Sequence, residues 1–345
     1  MSSRCSAALI AFAVVGCGVN GGSGARPPLV TAVVEPSSAA IGPTEWVTFR
    51  ARAANSADAR FQWSIRPEGP IIDQDGRVFA HLAPGKYVVI ATTTTDPVLS
   101  ASADLVVYDD LMDLGGRVMA DSQIYTLWWG DPADFPADAK TSVERALAGL
   151  DGSSYLGLTR EYMRGAAPAA KLVGSFMDAS TSPPREANEI MWSVAAEVCS
   201  VLARENIVPD RNAIYVVYGG TFPVNSPWTA FHIVGSCSRI ATPFALSFPI
   251  AYVPVPDVTH ASAFPMGVCN RLSLATVWMI HATAHEVLES ITDPFVGIEP
   301  AWQTANALEV ADNCSGLAKS ACVSLGKHTY LLPGLYSNAR HACAD

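Results

Sequence analysis

Between residues 28 and 108 apolar and polar positions alternate in short runs: Thr31–Val34, Trp46–Ala51, Arg60–Ile65, Tyr87–Thr93 and Ala103–Val107. Turn-forming segments such as Asp73-Gln74-Asp75-Gly76 and Pro84-Gly85-Lys86 divide them. Period-two patterning broken by close-set turns predicts an all-β sandwich, with Trp63 as the buried tryptophan of a central strand. The pattern changes in residues 114–345. Gln123–Trp129 reads as a strand, and Ala139–Leu150 as a helix with Val143, Leu147 and Leu150 on one face. Glu186–Asn206 is a longer helix carrying Ile190, Val194, Val201 and Leu202 at core spacing, and Pro209 lies soon after its end. Ala213–Tyr218 is an unbroken apolar run of the buried-strand type, and Leu272–Ile291 is helical again. Strands alternating with helices predict an α/β (α+β) domain around a central sheet.

The first residues follow a different logic. Met1–Arg4 carries one positive charge, and Ala7–Val15 is apolar but too short to span a bilayer. The run ends in Val14-Val15-Gly16-Cys17, which resembles a bacterial lipobox. Residues 1–16 are therefore expected to be a lipoprotein signal peptide and Cys17 the lipidated residue. Residues 17–27 form a flexible, glycine-rich tether, so the membrane is reached through a lipid rather than a spanning helix. The expected location is extracytoplasmic: the bacterial periplasm or cell surface.

Composition narrows the classes. Of 345 residues half are hydrophobic and 16% charged, which excludes intrinsic disorder and gives enough chain for two domains. A net charge of −10 excludes a nucleic-acid binder, which needs surplus Lys and Arg. Of the eight cysteines, Cys5 leaves with the signal and Cys17 takes the lipid. The remaining six (Cys199, Cys237, Cys269, Cys314, Cys322 and Cys343) are expected to form three disulfides, with the pairing open. There is no CxxC, no GxSxG and no phosphate-binding glycine loop.

Two resemblances add to this. Residues 28–108, with FQWSI and GKYVVIATTTTDP, resemble bacterial Ig-like domains. GGRVM followed by IYTLWWG (Gly115–Gly130), then AIYVVYGG, AFHIVGSC, SITDPF and HTYLLPGLYSNARHAC, resemble the phosphate-induced protein 1, or EXORDIUM-like, family across residues 114–345. That resemblance implies a secreted or wall-associated protein and leaves the activity open.

Metal chemistry is concentrated in one segment. His281, His285, Glu289 and Asp293 are four residues apart on a predicted helix, so neighbouring pairs share a face. His285 and Glu289 can grip one cation, with Glu286 beside them as a carboxylate able to deprotonate water. The string His285-Glu286-x-x-Glu289 resembles the zincin signature HExxH with Glu for the second His. Glu309, with Asp312 a turn later, resembles the arrangement of gluzincin metallopeptidases. That resemblance implies that Glu309 is the third ligand and that Asp312 orients His285 from behind. His281, Asp293 and Asp312 either support the ligands from behind or stand as alternative ligands, and His232 is a candidate cleft residue that could polarise a substrate carbonyl. The expected cofactor is a divalent metal, with zinc favoured; two carboxylates also make calcium or manganese competitive. The expected function is a lipid-anchored, metal-dependent hydrolase acting on a peptide or on a cell-wall or matrix substrate. The alternative is a non-catalytic surface protein that binds matrix, with the acidic cluster serving structure or calcium.

Overall fold

The structure is a computed structural model and describes residues 31–54, 59–96, 98–237, 247–264 and 268–345. The signal peptide, Cys17 and the tether lie outside the described residues.

The first unit is all-β. A four-stranded sheet is built from Ser38–Ile41, Ser100–Val107, Gly85–Thr93 and Phe61–Arg66 in that spatial order, and a three-stranded sheet from Trp46–Thr48, Arg77–Phe79 and Ile71–Ile72. A third, two-stranded ladder pairs Ala32–Glu35 with Arg50–Ala53. Alternate residues such as Val78, Val89, Ala91, Leu105 and Val107 point into one shared core, as period-two strands with one wet face must. Two expectations change here. The run Trp46–Ala51 divides between two sheets at Phe49, which is fully buried and donates its N–H to the Gly76 carbonyl at 2.8 Å. Trp63 is half-buried at the core's margin, where it packs against Gly76. A Cβ at Gly76 would meet the Trp63 ring at 2.7 Å, and its φ of +76° also favours glycine.

The remainder is a three-layer α/β arrangement. Its five strands are β1 (Asp121–Trp129), β2 (Ala169–Asp178), β3 (Ala213–Gly219), β4 (Phe231–Ser236) and β5 (Ser247–Pro254). The spatial order is β2-β1-β3-β5-β4; the first four are parallel, while β4 runs antiparallel to β5 at the edge. Helix α1 (Ala139–Ala148) connects β1 to β2, α2 (Ala187–Arg204) connects β2 to β3, and α3 (Leu274–Thr292) follows β5. Successive residues of each strand serve opposite faces. Ile214, Val216 and Tyr218 join α1 and α3 in one core, while Ala213, Tyr215 and Val217 join α2 in the other. This is why Ala213–Tyr218 reads as an unbroken apolar run: both of its faces are dry.

The start of α3 is fixed by Ser273, whose Oγ accepts from the Thr276 N–H at 3.3 Å. Its C-terminal end is fixed by Asp293, which accepts from the Ala301 N–H and from Gln303 Nε2, each at 2.8 Å. The three disulfides are Cys199–Cys237, Cys269–Cys322 and Cys314–Cys343. They close loops of 38, 53 and 29 residues, each worth about 3–5 kcal/mol of chain entropy. Such bonds belong to a chain that matures in an oxidising, extracytoplasmic compartment. Among the described residues no helix is long and apolar enough to cross a membrane.

Away from the acidic helix, Asp178 at the end of β2 and Glu197 on α2 share a buried contact with Arg204 and Thr181. Burial, then the neighbouring Asp178, pushes Glu197 up to about 7. Burial also opposes charge on Asp178, but hydrogen bonds from Ser180 and Arg204 prevail and hold it at about 2. A carboxyl raised by folding stabilises the fold most below its unfolded value, and that stability is lost as pH rises to about 7. Glu197→Gln is therefore expected to raise the Tm near pH ~8 and to leave it nearly unchanged near pH ~5, read by thermal melts at both values. Peptide mapping of non-reduced protein is expected to recover the three cysteine pairs named above.

Candidate metal centre

His232, His285, Glu286, Glu289, Glu309 and Asp312 meet beneath the edge of the sheet. Strand alternation supplies the first. His232 lies opposite Ala251, which faces α3, whereas its neighbours Phe231 and Ile233 pack toward α2. The α3 register supplies the next three, because 285, 286 and 289 fall on the helix side turned to β4 and the following loop. Glu309 and Asp312 come from a single tight turn, in which the Asn313 N–H donates to the Glu309 carbonyl at 3.1 Å.

Two donor groups share Glu289. In the first, His285 Nε2 lies 3.2 Å from Glu289 Oε1 and 3.3 Å from Asp312 Oδ1. Metal–donor bonds of about 2.0–2.2 Å in a tetrahedron put donors roughly 3.4 Å apart, so this spacing is that of ligands around one ion. In the second, His232 Nδ1 lies 3.4 Å from Glu286 Oε2 and 3.7 Å from Glu289 Oε2. Within each group all donor atoms lie within 4.8 Å of one another. The Asp312 N–H donates to Glu289 Oε1 at 2.9 Å and orients that carboxylate.

The placement differs from the sequence expectation at three residues, Glu309, His281 and Asp293. Asp312 meets the same His285 nitrogen as Glu289, as an alternative ligand would, rather than standing behind it. Glu309 belongs to neither group. Its Oε1 faces His232 Nε2 at 3.4 Å, and both atoms are buried without a completed hydrogen bond. The three-residue spacing within one turn sends 309 toward β4 and 312 toward α3. His281 is turned aside to Ser320, with Nε2 and Oγ 3.0 Å apart. Asp293 spends both oxygens on the loop after α3. His232 does line the cleft and stands nearer its acidic centre than the sequence could indicate. Its signal was a lone histidine in an apolar strand, which more often marks a core residue.

The electrostatics follow from burial. Four carboxyl groups outnumber two imidazoles, so full ionisation would leave a surplus of negative charge. Burial works against charge on His232 and His285, yet the carboxylates prevail and hold both well above the usual histidine range: Glu309, Glu286 and Glu289 around His232, Glu289 and Asp312 around His285. Burial raises Glu286 and pushes Glu309 up to about 8, against the pull of His232. The hydrogen bond to His285 lowers Asp312. Burial, then the charge of His285, lowers His281 to about 3, so it stays neutral. The His/Glu cluster could hold a metal ion: its donor chemistry suits one, and a divalent cation would neutralise the surplus.

A cavity of about 460 Å³ opens over the cluster, and one side of it is the run Pro227–His232 leading into β4. The two donor groups differ in access. The side chains of His285 and Asp312 are 19% and 40% exposed, whereas those of His232, Glu286 and Glu289 are 3%, 8% and 3% exposed. Only the first group combines ligand spacing with an open side.

No protein-family model matches the chain, and no curated protein matches it. Among solved structures it is similar to a chain described as a candidate alpha-galactosidase from Bacteroides fragilis, at 15% identity and a TM-score of 0.18. The match covers 53% of this chain and 36% of that one, so it spans about a third of that protein's length. A likeness this distant assigns neither fold nor activity.

An imidazole must lose its proton to bind a metal. Zinc titration is therefore expected to release protons and to tighten as pH rises through the neutral range, as read by calorimetry in two buffers of different ionisation enthalpy. Glu289→Ala is expected to abolish binding, because it removes the carboxylate common to both groups.

Proposed function

We propose that the protein is an extracytoplasmic metal-dependent hydrolase that cuts an amide bond in a peptide bound in this cleft. The observation that carries this reading is the ligand-spaced trio His285, Glu289 and Asp312, open to a cavity that also exposes Glu286. Zinc is the cation that one imidazole and two carboxylates would hold, with calcium and manganese as the competitors. When bound, it supplies Lewis acidity toward a carbonyl oxygen.

The chain's own groups supply the rest. Glu286 takes a proton from the attacking water as the new C–O bond forms, and returns it to the departing amine nitrogen as the C–N bond breaks. Its raised proton affinity suits both halves of that exchange. His232 Nδ1 meets the Glu286 carboxylate at 3.4 Å, and its Nε2 faces Glu309 at 3.4 Å. The cleft wall supports a peptide substrate. The run Pro227–His232 leading into β4 forms one side of the cleft, against which an extended chain can lie.

Under this proposal the N-terminal sandwich is an Ig-like spacer, and lipid on Cys17 anchors it to the membrane. Under the same proposal the catalytic unit is a member of the EXORDIUM-like family, which its motifs from Gly115 onward resemble.

Glu286→Ala decides the reading. It is expected to retain about one zinc per chain while peptide cleavage falls ~10²–10⁴-fold, measured by metal analysis beside a fluorogenic peptide assay. Asp312→Ala is expected to weaken zinc binding. Glu309→Ala is expected to retain zinc, since Glu309 stands outside the trio. Loosely held calcium alone, with no peptide cut, would instead favour a structural cluster in a surface-binding protein.

A further inference from the structure

Beside the main cleft lies a second cavity of about 250 Å³. It shares Thr229, Ala230, His285, Glu286 and Ser315 with the first. Phe264, Trp278, Ala282, Leu317 and Pro333 supply its apolar lining. We infer that this cavity receives a large apolar or aromatic side chain of the substrate residue that flanks the cut bond. The inference rests on the hydrolase reading.

Three observations carry it. The first is position. A third cavity, of about 310 Å³ near Met191, meets the cleft only through Pro227 and Trp228. The apolar cavity instead shares His285 and Glu286, so a side chain seated there belongs to a residue next to the reacting carbonyl. The second is size and chemistry. The volume suits one side chain, since whole small-molecule sites run to about 300–1,000 Å³. Its lining histidine is already engaged: His281 Nε2 is 3.0 Å from Ser320 Oγ, and the His281 ring meets Phe264 edge-on with centroids 5.0 Å apart.

The third is rigidity. The wall Ser315-Gly316-Leu317 lies between Cys314, bonded to Cys343, and Cys322, bonded to Cys269. Within it the Ser315 N–H donates to the Asp312 carbonyl at 2.9 Å and the Ser320 N–H to the Leu317 carbonyl at 3.1 Å. The pocket wall and the ligand Asp312 are thus one clamped segment. A preformed apolar pocket discriminates by size, at about 10–200-fold per methylene.

Cleavage of a peptide pool varied at one position, with cut sites read by mass spectrometry, tests this on the metal-loaded full chain. Cuts are expected beside Phe, Leu and Met, with kcat/KM for Phe at least ~100-fold above Ala. Ala282→Phe fills the cavity from α3 and is expected to erase that preference, read as the ratio of kcat/KM for Phe to that for Ala. Leu317→Glu changes a partly exposed turn residue of the wall and is expected to shift preference toward Lys and Arg. Cleavage without apolar preference, or profiles unchanged in both variants, overturns the pocket and leaves the hydrolase standing. No cleavage of any peptide overturns the hydrolase. In that case the fluorescence of Trp278, isolated by difference from Trp278→Phe, still reads the pocket. A saturable change with N-acetylphenylalanine amide but not with the alanine amide upholds it, and no change with either overturns it.

Discussion

Everything in this molecule is arranged around a costly act of burial. Three carboxyl groups (Glu286, Glu289, Glu309) and the His232 imidazole are withdrawn from water at the junction of an edge strand, a helix and a tight turn, with His285 and Asp312 at its open side. An uncompensated buried charge costs several kcal/mol, so such a group survives only when each member is paired or a cation joins it. Glu289 is the common term. Its two oxygens are divided between two histidines, and its position is held by a backbone N–H of the turn that brings Asp312.

The surrounding fold supplies what this cluster needs. A mostly parallel sheet buried on both faces gives α3 a stiff bed, and the antiparallel edge strand brings His232 down onto it. Asp293, outside the cluster, fixes where α3 ends and how the chain turns back. The Cys199–Cys237 bond ties the residue after β4 to α2 on the opposite layer, so the strand that walls the cleft is held from both sides. A site with several like charges has to be enforced by its scaffold, and here the scaffold closes on it from every layer.

Much of this could be read from residue patterns. Val143, Leu147 and Leu150, and Ile190, Val194, Val201 and Leu202, are all buried on the faces that their spacing indicated. His285 and Glu289 meet because i and i+4 meet on any helix. The parts that escaped have physical reasons. Ala169–Asp178 alternates too weakly to signal a strand, and its place at the sheet's other edge leaves half of it wet. Strands as short as Ile71–Ile72 and Arg77–Phe79 carry almost no period. The roles of Glu309 and Asp312 depended on which way a three-residue turn faced, and no local pattern encodes that. His232 lies 53 residues before His285 and reaches it through β4–β5 pairing, a contact set by topology alone.

The clamped segment from Asp312 to Cys322 has a consequence for timing. One ligand and one wall of the cleft sit on a stretch whose shape is secured by two cross-links, and those cross-links require an oxidant. A newly made chain in reducing surroundings can fold its sheet and helices yet lacks the fixed outer rim of the cleft. Under the proposed function, competence then arrives only after translocation, so the cell that synthesises the protein is spared its action until the protein has left.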